Sequence, residues 1–159
     1  MSLLPYVALL VFLIAYFLWL HRAARNLRDG VEGMRFSPAF HVAAYFVPLV
    51  NLVVPFLAMR ELWNRSHGEP PELADAGGGA VASWWACWIA ATLLISAVVL
   101  RLVFTAMTGV IVVVPPLLDL LALGLALLFL IGASWFLFGL IGAVTRAQTG
   151  FVNVGATFA

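Results

Sequence analysis

From Pro38 to Met59 the chain carries no formal charge apart from any on His41, over a length that is about enough to cross a bilayer. Pro48, Asn51 and Pro55 stand in the middle of that stretch. Each proline removes a backbone donor and clashes with the carbonyl four residues earlier. At membrane depth such a break survives only where protein or a water-filled cavity covers the freed backbone groups. The stretch therefore predicts a helix kinked or broken at Pro48/Asn51/Pro55 that needs other helices around it.

Composition says what those neighbours are. Of 159 residues, 65% are hydrophobic and 9% charged, and mean hydropathy is +1.11. That lies far outside soluble usage and predicts an all-α integral membrane protein forming a single transmembrane domain over 1–159. Net charge is +1 and all eight basic residues are arginine, which points away from nucleic acid. The lone Cys87 lies in an apolar run, where a buried, inert thiol is expected.

Four hydrophobic helices are predicted, at about 3–28, 38–64, 81–107 and 116–147, with an exposed loop at about 66–80. No basic residue precedes the first run, whereas His21, Arg22, Arg25 and Arg28 follow it. That order is the reverse of a secretory signal and predicts an anchor with its N-terminus outside. The tail of this helix offers the pairs Arg25–Asp29 and Arg28–Glu32, and an apolar face of Ala24, Leu27, Val31 and Met34. Gly30 and Gly33 are expected to stop it. Ser37-Pro38 reads as a hydroxyl N-cap with proline in the first turn.

Trp19, Trp63, Trp84, Trp85 and Trp88 fall near run ends, where interfacial or docking tryptophans are expected. Arg101 is expected to snorkel and Asp119 to sit on a helix N-terminus. Thr108-Gly109 and Pro115-Pro116 bracket a Val-rich connector. Gly132, Gly139 and Gly142 give the last helix small residues at which another helix can approach closely. Past Gln148 the chain is expected to fray.

Two topologies compete. If 38–59 spans, Arg60, Arg65 and Arg146 lie outside while Arg22, Arg25, Arg28, Arg35 and Arg101 lie inside. If it re-enters, only Arg101 is outside, the arrangement that the positive-inside rule alone prefers. Length favours a kinked spanning helix, and that is the expectation.

Several elements together resemble a known family. They are Arg22-Ala23-x-x-Asn26-Leu27, Arg35-Phe36-Ser37-Pro38, Phe46-Val47-Pro48-Leu49-Val50-Asn51-Leu52 with Pro55, and Glu61-Leu62-Trp63-x-x-Ser66. Trp84-Trp85-x-x-Trp88 and Thr145-x-x-Gln148 complete the set. The chain resembles the bacterial multi-pass membrane proteins grouped as domain of unknown function 4328. The resemblance implies a bacterial membrane location and no agreed activity, and with the charge order above the expectation is the cytoplasmic (inner) membrane with the Arg22–Arg35 loop cytoplasmic. Tyr45 and Val53 stand where relatives often carry tryptophan.

No nucleophile elbow, His-Glu-x-x-His helix or phosphate-binding glycine loop occurs, so no catalytic residue and no enzyme activity is expected. His21 and His41, on neighbouring helices, are candidates for haem iron. His67, Glu69 and Glu72 are a weaker metal set, and the expected cofactor and metal complement is none. Asn26, Pro48, Asn51 and Pro55 form the candidate polar or structural site, with Asn51 either satisfying freed backbone or lining a polar path. The expected function is a non-enzymatic accessory subunit, its partners being the lipid bilayer and other membrane subunits or copies of itself. A small homo-oligomeric channel or transporter is the alternative, and a haem-binding electron carrier the weaker one.

Overall fold

A computed structural model describes residues 3–30, 34–73, 77 and 79–157. Helix α1 (Leu4–Gly30) is 27 residues, about 40 Å long. Its N-terminal half, through Ala15, is exposed on every side described, as suits lipid. From Tyr16 a buried face appears at Leu20, Ala23, Ala24 and Leu27, the i, i+4, i+7, i+8, i+11 spacing of one helical face. Of the apolar face expected at the tail, Ala24 and Leu27 are buried and Met34 half-buried. Val31, Glu32, Gly33 and the side chain of Asp29 lie outside the described residues, and with them the pairs Arg25–Asp29 and Arg28–Glu32.

Ser37 caps α2 (Pro38–Ala43), its hydroxyl accepting from the Phe40 N–H at 3.2 Å, with Pro38 in the first turn. Proline chemistry then sets the stop. Pro48 would drive its ring into the Ala44 carbonyl of a continuing helix, and Ala44 is the C-cap of α2. Pro48 also disfavours helical geometry at Val47. Turns follow, with one 3-10 turn at Val50–Leu52, before α3 (Val54–Ser66) starts with Pro55 in its first turn. The second spanning helix expected over 38–64 is therefore two short helices, of 6 and 13 residues. Neither reaches the roughly 20 residues a bilayer requires.

The loop after α3 carries Gly77, whose φ of +63° only glycine adopts without strain. A Cβ there would meet the Trp63 indole at 3.0 Å. Ala74, Asp75, Ala76 and Gly78 lie outside the described residues.

Helix α4 (Ala80–Thr108) has 29 residues and ends at Gly109, φ +69°, whose N–H bonds the Thr105 carbonyl at 3.0 Å. The connector to α5 (Pro116–Thr157) exposes Val110, Ile111 and Val113. Helix α5 runs 42 residues, about 63 Å, so the fraying expected after Gln148 is replaced by continued helix. The described residues contain no strand. Among the described residues three helical segments are long and apolar enough to cross a membrane: Tyr6–Arg28, Ala80–Thr108 and Pro116–Gly150. This is the pattern of a multi-pass membrane protein.

The chain divides into two compact units, one of residues 1–78 and 140–159 and one of residues 79–139. In the first, α1 packs on α2 and α3, and Leu20, Ala24, Ala44, Ala58, Met59, Leu62, Leu140 and Val144 are the buried apolar centre. In the second, Val81, Trp84, Trp85, Ala91, Ala126 and Ala133 are buried.

Candidate functional site

One polar node gathers three parts of the first unit. Trp19, Arg22, Ala23 and Asn26 lie on one side of α1, Ser66 ends α3, and Thr145, Gln148 and Thr149 lie on α5. The Gln148 amide N–H groups donate to the Ala23 carbonyl at 3.1 Å and the buried Ser66 hydroxyl oxygen at 3.2 Å. Asn26 Nδ2 approaches Gln148 Oε1 at 3.5 Å, the outer limit of a hydrogen bond. Trp19 Nε1 donates to Thr145 Oγ1 at 3.1 Å, and that hydroxyl donates to the Ile141 carbonyl at 2.7 Å. Beside the node opens a cleft of about 740 Å³, lined by Ala15, Leu18 and Trp19 at one end and by Arg22, Asn26, Gln148 and Thr149 at the other. Asn26 thus lies with Gln148 and Ser66 rather than with Asn51.

A second cluster forms around Glu61, 3% exposed. Its carboxylate accepts from the backbone N–H groups of Arg35 and, at 3.2 Å, Phe36. A buried carboxylate is costly unless such donors hold it. Here they pin the turn that leads into the Ser37 cap. Arg35 lies over the Phe36 ring at 5.4 Å, and Arg60 over Phe56 at 5.6 Å. His41 is fully buried, its Nδ1 3.0 Å from the Ser37 carbonyl oxygen and its Nε2 without a partner of hydrogen-bonding geometry among the described residues. Burial pushes the imidazole below its ordinary 6.5, against the opposing pull of the Ser37 carbonyl, the Glu61 carboxylate and the Ala58 carbonyl. His21 is half-buried, and neither histidine lines the large cleft.

At the break, the Asn51 N–H bonds the Val47 carbonyl at 2.7 Å. Its side-chain Oδ1 is buried and has no hydrogen-bond partner among the described residues. Pro55 is buried and Pro48 exposed. Tyr45 packs in the same region, its hydroxyl 2.7 Å from that of Tyr16.

The tryptophans expected at interfaces are mostly occupied internally. Trp84 and Trp85 are 3% and 8% exposed, and Trp19 is tied to Thr145. Trp63 stacks on His67 with ring centroids 4.3 Å apart. Trp88, at 37%, faces outward. Sequence reasoning passed over Trp135, which is 79% exposed in a groove with Leu127, Ile131 and Phe138, because it sits in mid-helix rather than at a run end. It also passed over Asn64, whose buried amide holds the Pro71 and Leu73 carbonyls at 3.2 and 3.0 Å.

In the second unit Arg101 does not snorkel alone: its guanidinium bonds the Asp119 carboxylate. At Gly132 a Cβ would stand 3.5 Å from Cys87 Sγ, so α4 and α5 approach closely there. Gly139 has open space, and Gly142 faces the Arg146 guanidinium at 3.2 Å rather than another helix. Among the described residues no three His, Cys, Asp or Glu side chains gather as a metal set, so His67, Glu69 and Glu72 are not brought together.

No match was found among curated proteins or among solved structures. The family model described as Domain of unknown function (DUF4328) matches residues 1–140, and the chain belongs to that family.

Proposed function

We propose that the protein is a non-enzymatic accessory subunit of the bacterial inner membrane that docks to a larger membrane assembly. The observation that carries this reading is how the polar residues of the family pattern are used. Asn26, Glu61, Ser66, Thr145 and Gln148 hydrogen-bond one another, backbone or, for Thr145, the Trp19 indole, and among the described residues no nucleophile lies beside a base. Polar groups spent in this way fix helix ends rather than perform chemistry. Gentle detergent extraction followed by native mass spectrometry tests it. Stoichiometric co-purification with larger membrane subunits is expected, and a chain that emerges only alone sinks the idea.

We further infer that 38–66 re-enters, so that α1, α4 and α5 are the three spans. Two observations support this. The two short helices are each below spanning length, and Gln148 bonds both Ala23 near the end of α1 and Ser66 at the end of α3. Those three ends then share the cytoplasmic side with Arg22, Arg25, Arg28, Arg35, Arg60, Arg65 and Arg146, as the positive-inside rule prefers. This reverses the preference for a kinked spanning helix that length alone gave. Single cysteines (Arg28→Cys, His67→Cys, Thr149→Cys) in a Cys87→Ala background are expected to label from the same side. Labelling of His67→Cys from the opposite side overturns the inference.

One observation favours a second reading, a homo-oligomeric channel or transporter. The buried, unpartnered Asn51 Oδ1 is an acceptor that a permeating cation or solute donor would satisfy. Flux through reconstituted protein that Asn51→Leu abolishes is the expected result under this reading. Equal flux in the mutant, or none in the native protein, removes it.

A further inference from the structure

We propose that the cleft beside the polar node is a site for an anionic glycerophospholipid, its phosphate held at Arg22 and an acyl chain laid along Ala15 and Leu18. The cleft, about 740 Å³, falls within the size of dedicated small-molecule sites. Its lining changes character along α1. Ala15, Leu18, Arg22 and Asn26 succeed one another at intervals of three or four residues, covering about 16 Å of helix from apolar to polar.

Arg22 is exposed and makes no ion pair or hydrogen bond among the described residues. It follows directly on the apolar run that ends at Leu20, which is the depth of headgroup phosphates. Its planar guanidinium presents paired donors that match a phosphate. Asn26 Nδ2, only loosely engaged by Gln148 at 3.5 Å, is a further donor beside it. Trp19 lines the apolar end beside Ala15 and Leu18, and its indole N–H is already taken by Thr145. The Ala15–Leu18 end offers no polar side chain, so a soluble anion would leave that half unfilled, whereas an acyl chain fills it.

The test uses the full chain in neutral detergent with phosphatidylglycerol, phosphatidylcholine or inorganic phosphate added, and reads retained ligand by native mass spectrometry and midpoint by thermal unfolding. Phosphatidylglycerol is expected to stay bound and raise the midpoint, phosphatidylcholine and inorganic phosphate much less. Arg22→Gln is expected to weaken retention by about tenfold, the loss of one charge-assisted contact. Arg22→Lys is expected to keep part of it. Arg28→Gln, on the same helix but outside the cleft, is expected to change nothing. Leu18→Trp fills the apolar end and is expected to expel the lipid, with the ellipticity of the variant checked for folding. Equal losses in Arg22→Gln and Arg28→Gln overturn the proposal, since a diffuse positive surface would do the same. Equal retention of phosphatidylcholine overturns it as well, and so does equal protection by inorganic phosphate.

Discussion

Residues 1–78 with 140–159, and residues 79–139, are both helical and both rich in aliphatic side chains, yet different bonds hold each together. The first unit buries His41, Glu61, Asn64 and Ser66 and satisfies most of their polar atoms with backbone or with Gln148. The second buries no charged side chain outright. It relies on small residues (Ala91, Ala126, Ala133, and Gly132 against Cys87) and on one ion pair, Arg101–Asp119. The contrast follows from the chain itself. Where helices are unbroken, backbone groups are satisfied within each helix and only close packing remains to be arranged. Where Pro48 and Pro55 break the chain, carbonyls and turns are left over, and side-chain amides and carboxylates are needed to close them.

The largest test of that contrast exchanges the same side chain in each unit. Leu62 is fully buried in the first unit and Leu128 is 65% exposed in the second. Leu62→Ala is expected to cost about 2–5 kcal/mol of unfolding free energy in detergent, and Leu128→Ala within about 0.5 kcal/mol of zero. Similar losses at both sites would show that the second unit is packed by a partner or by another copy. Glu61→Ala comes next. It strands the N–H groups of Arg35 and Phe36, at about 3 kcal/mol for the pair, and frees the Ser37 cap. Faster amide exchange confined to 35–43 is the signature; unchanged exchange there separates Glu61 from the cap.

The order in which residues became legible follows the same contrast. Helices α1, α4 and α5 could be read from run length, because an apolar helix satisfies its own backbone and needs no knowledge of its neighbours. The break at Pro48 and Pro55 was also legible, since proline acts on the residues adjoining it. What closes the end of 38–66 was not: Gln148, more than eighty residues further on, ties Ser66 to the end of α1. The pattern Arg22-Ala23-x-x-Asn26, Trp63-x-x-Ser66 and Thr145-x-x-Gln148 could be seen as three separate elements. Only the fold brings Ala23, Asn26 and Ser66 around Gln148, and Thr145 and Gln148 lie beyond the residues that the family model matches. The burial of Trp84 and Trp85 was hidden for a related reason: run-end position says where a tryptophan sits along a helix, not which way it faces.

Smaller effects sharpen the contrast. Gln148→Leu removes the donor shared by Ala23 and Ser66 and is expected to cost about 1–2 kcal/mol, with Asn26 and Ser66 then open to water. Arg101→Gln is expected to cost about 1 kcal/mol or less, because its ion pair is partly exposed at 21% and 30%. A Gln148 effect no larger than that at Arg101 would remove the claim that the two units are built by different means.

The smallest effect is a dependence on pH that belongs to the first unit alone, since the second contains no histidine. Burial lowers the His41 proton affinity in the fold, so between 6.5 and its folded value the unfolded chain binds the proton and the folded chain does not. Stability therefore rises with pH across that window and is lost as pH falls below 6.5, with a slope no steeper than about 1.4 kcal/mol per unit for one group. The Ser37 and Ala58 carbonyls and the Glu61 carboxylate pull the affinity upward and reduce the slope, while His21 pushes it downward. Unfolding measured from pH 7.5 to 5.5 is expected to lose stability in the native chain and to be flatter in His41→Gln. Glu61→Gln is expected to steepen the loss, because it removes one of the groups that favour the imidazolium. An equal slope in native chain and His41→Gln would place the acid sensitivity elsewhere and leave His41 a buried ring whose protonation the fold does not feel.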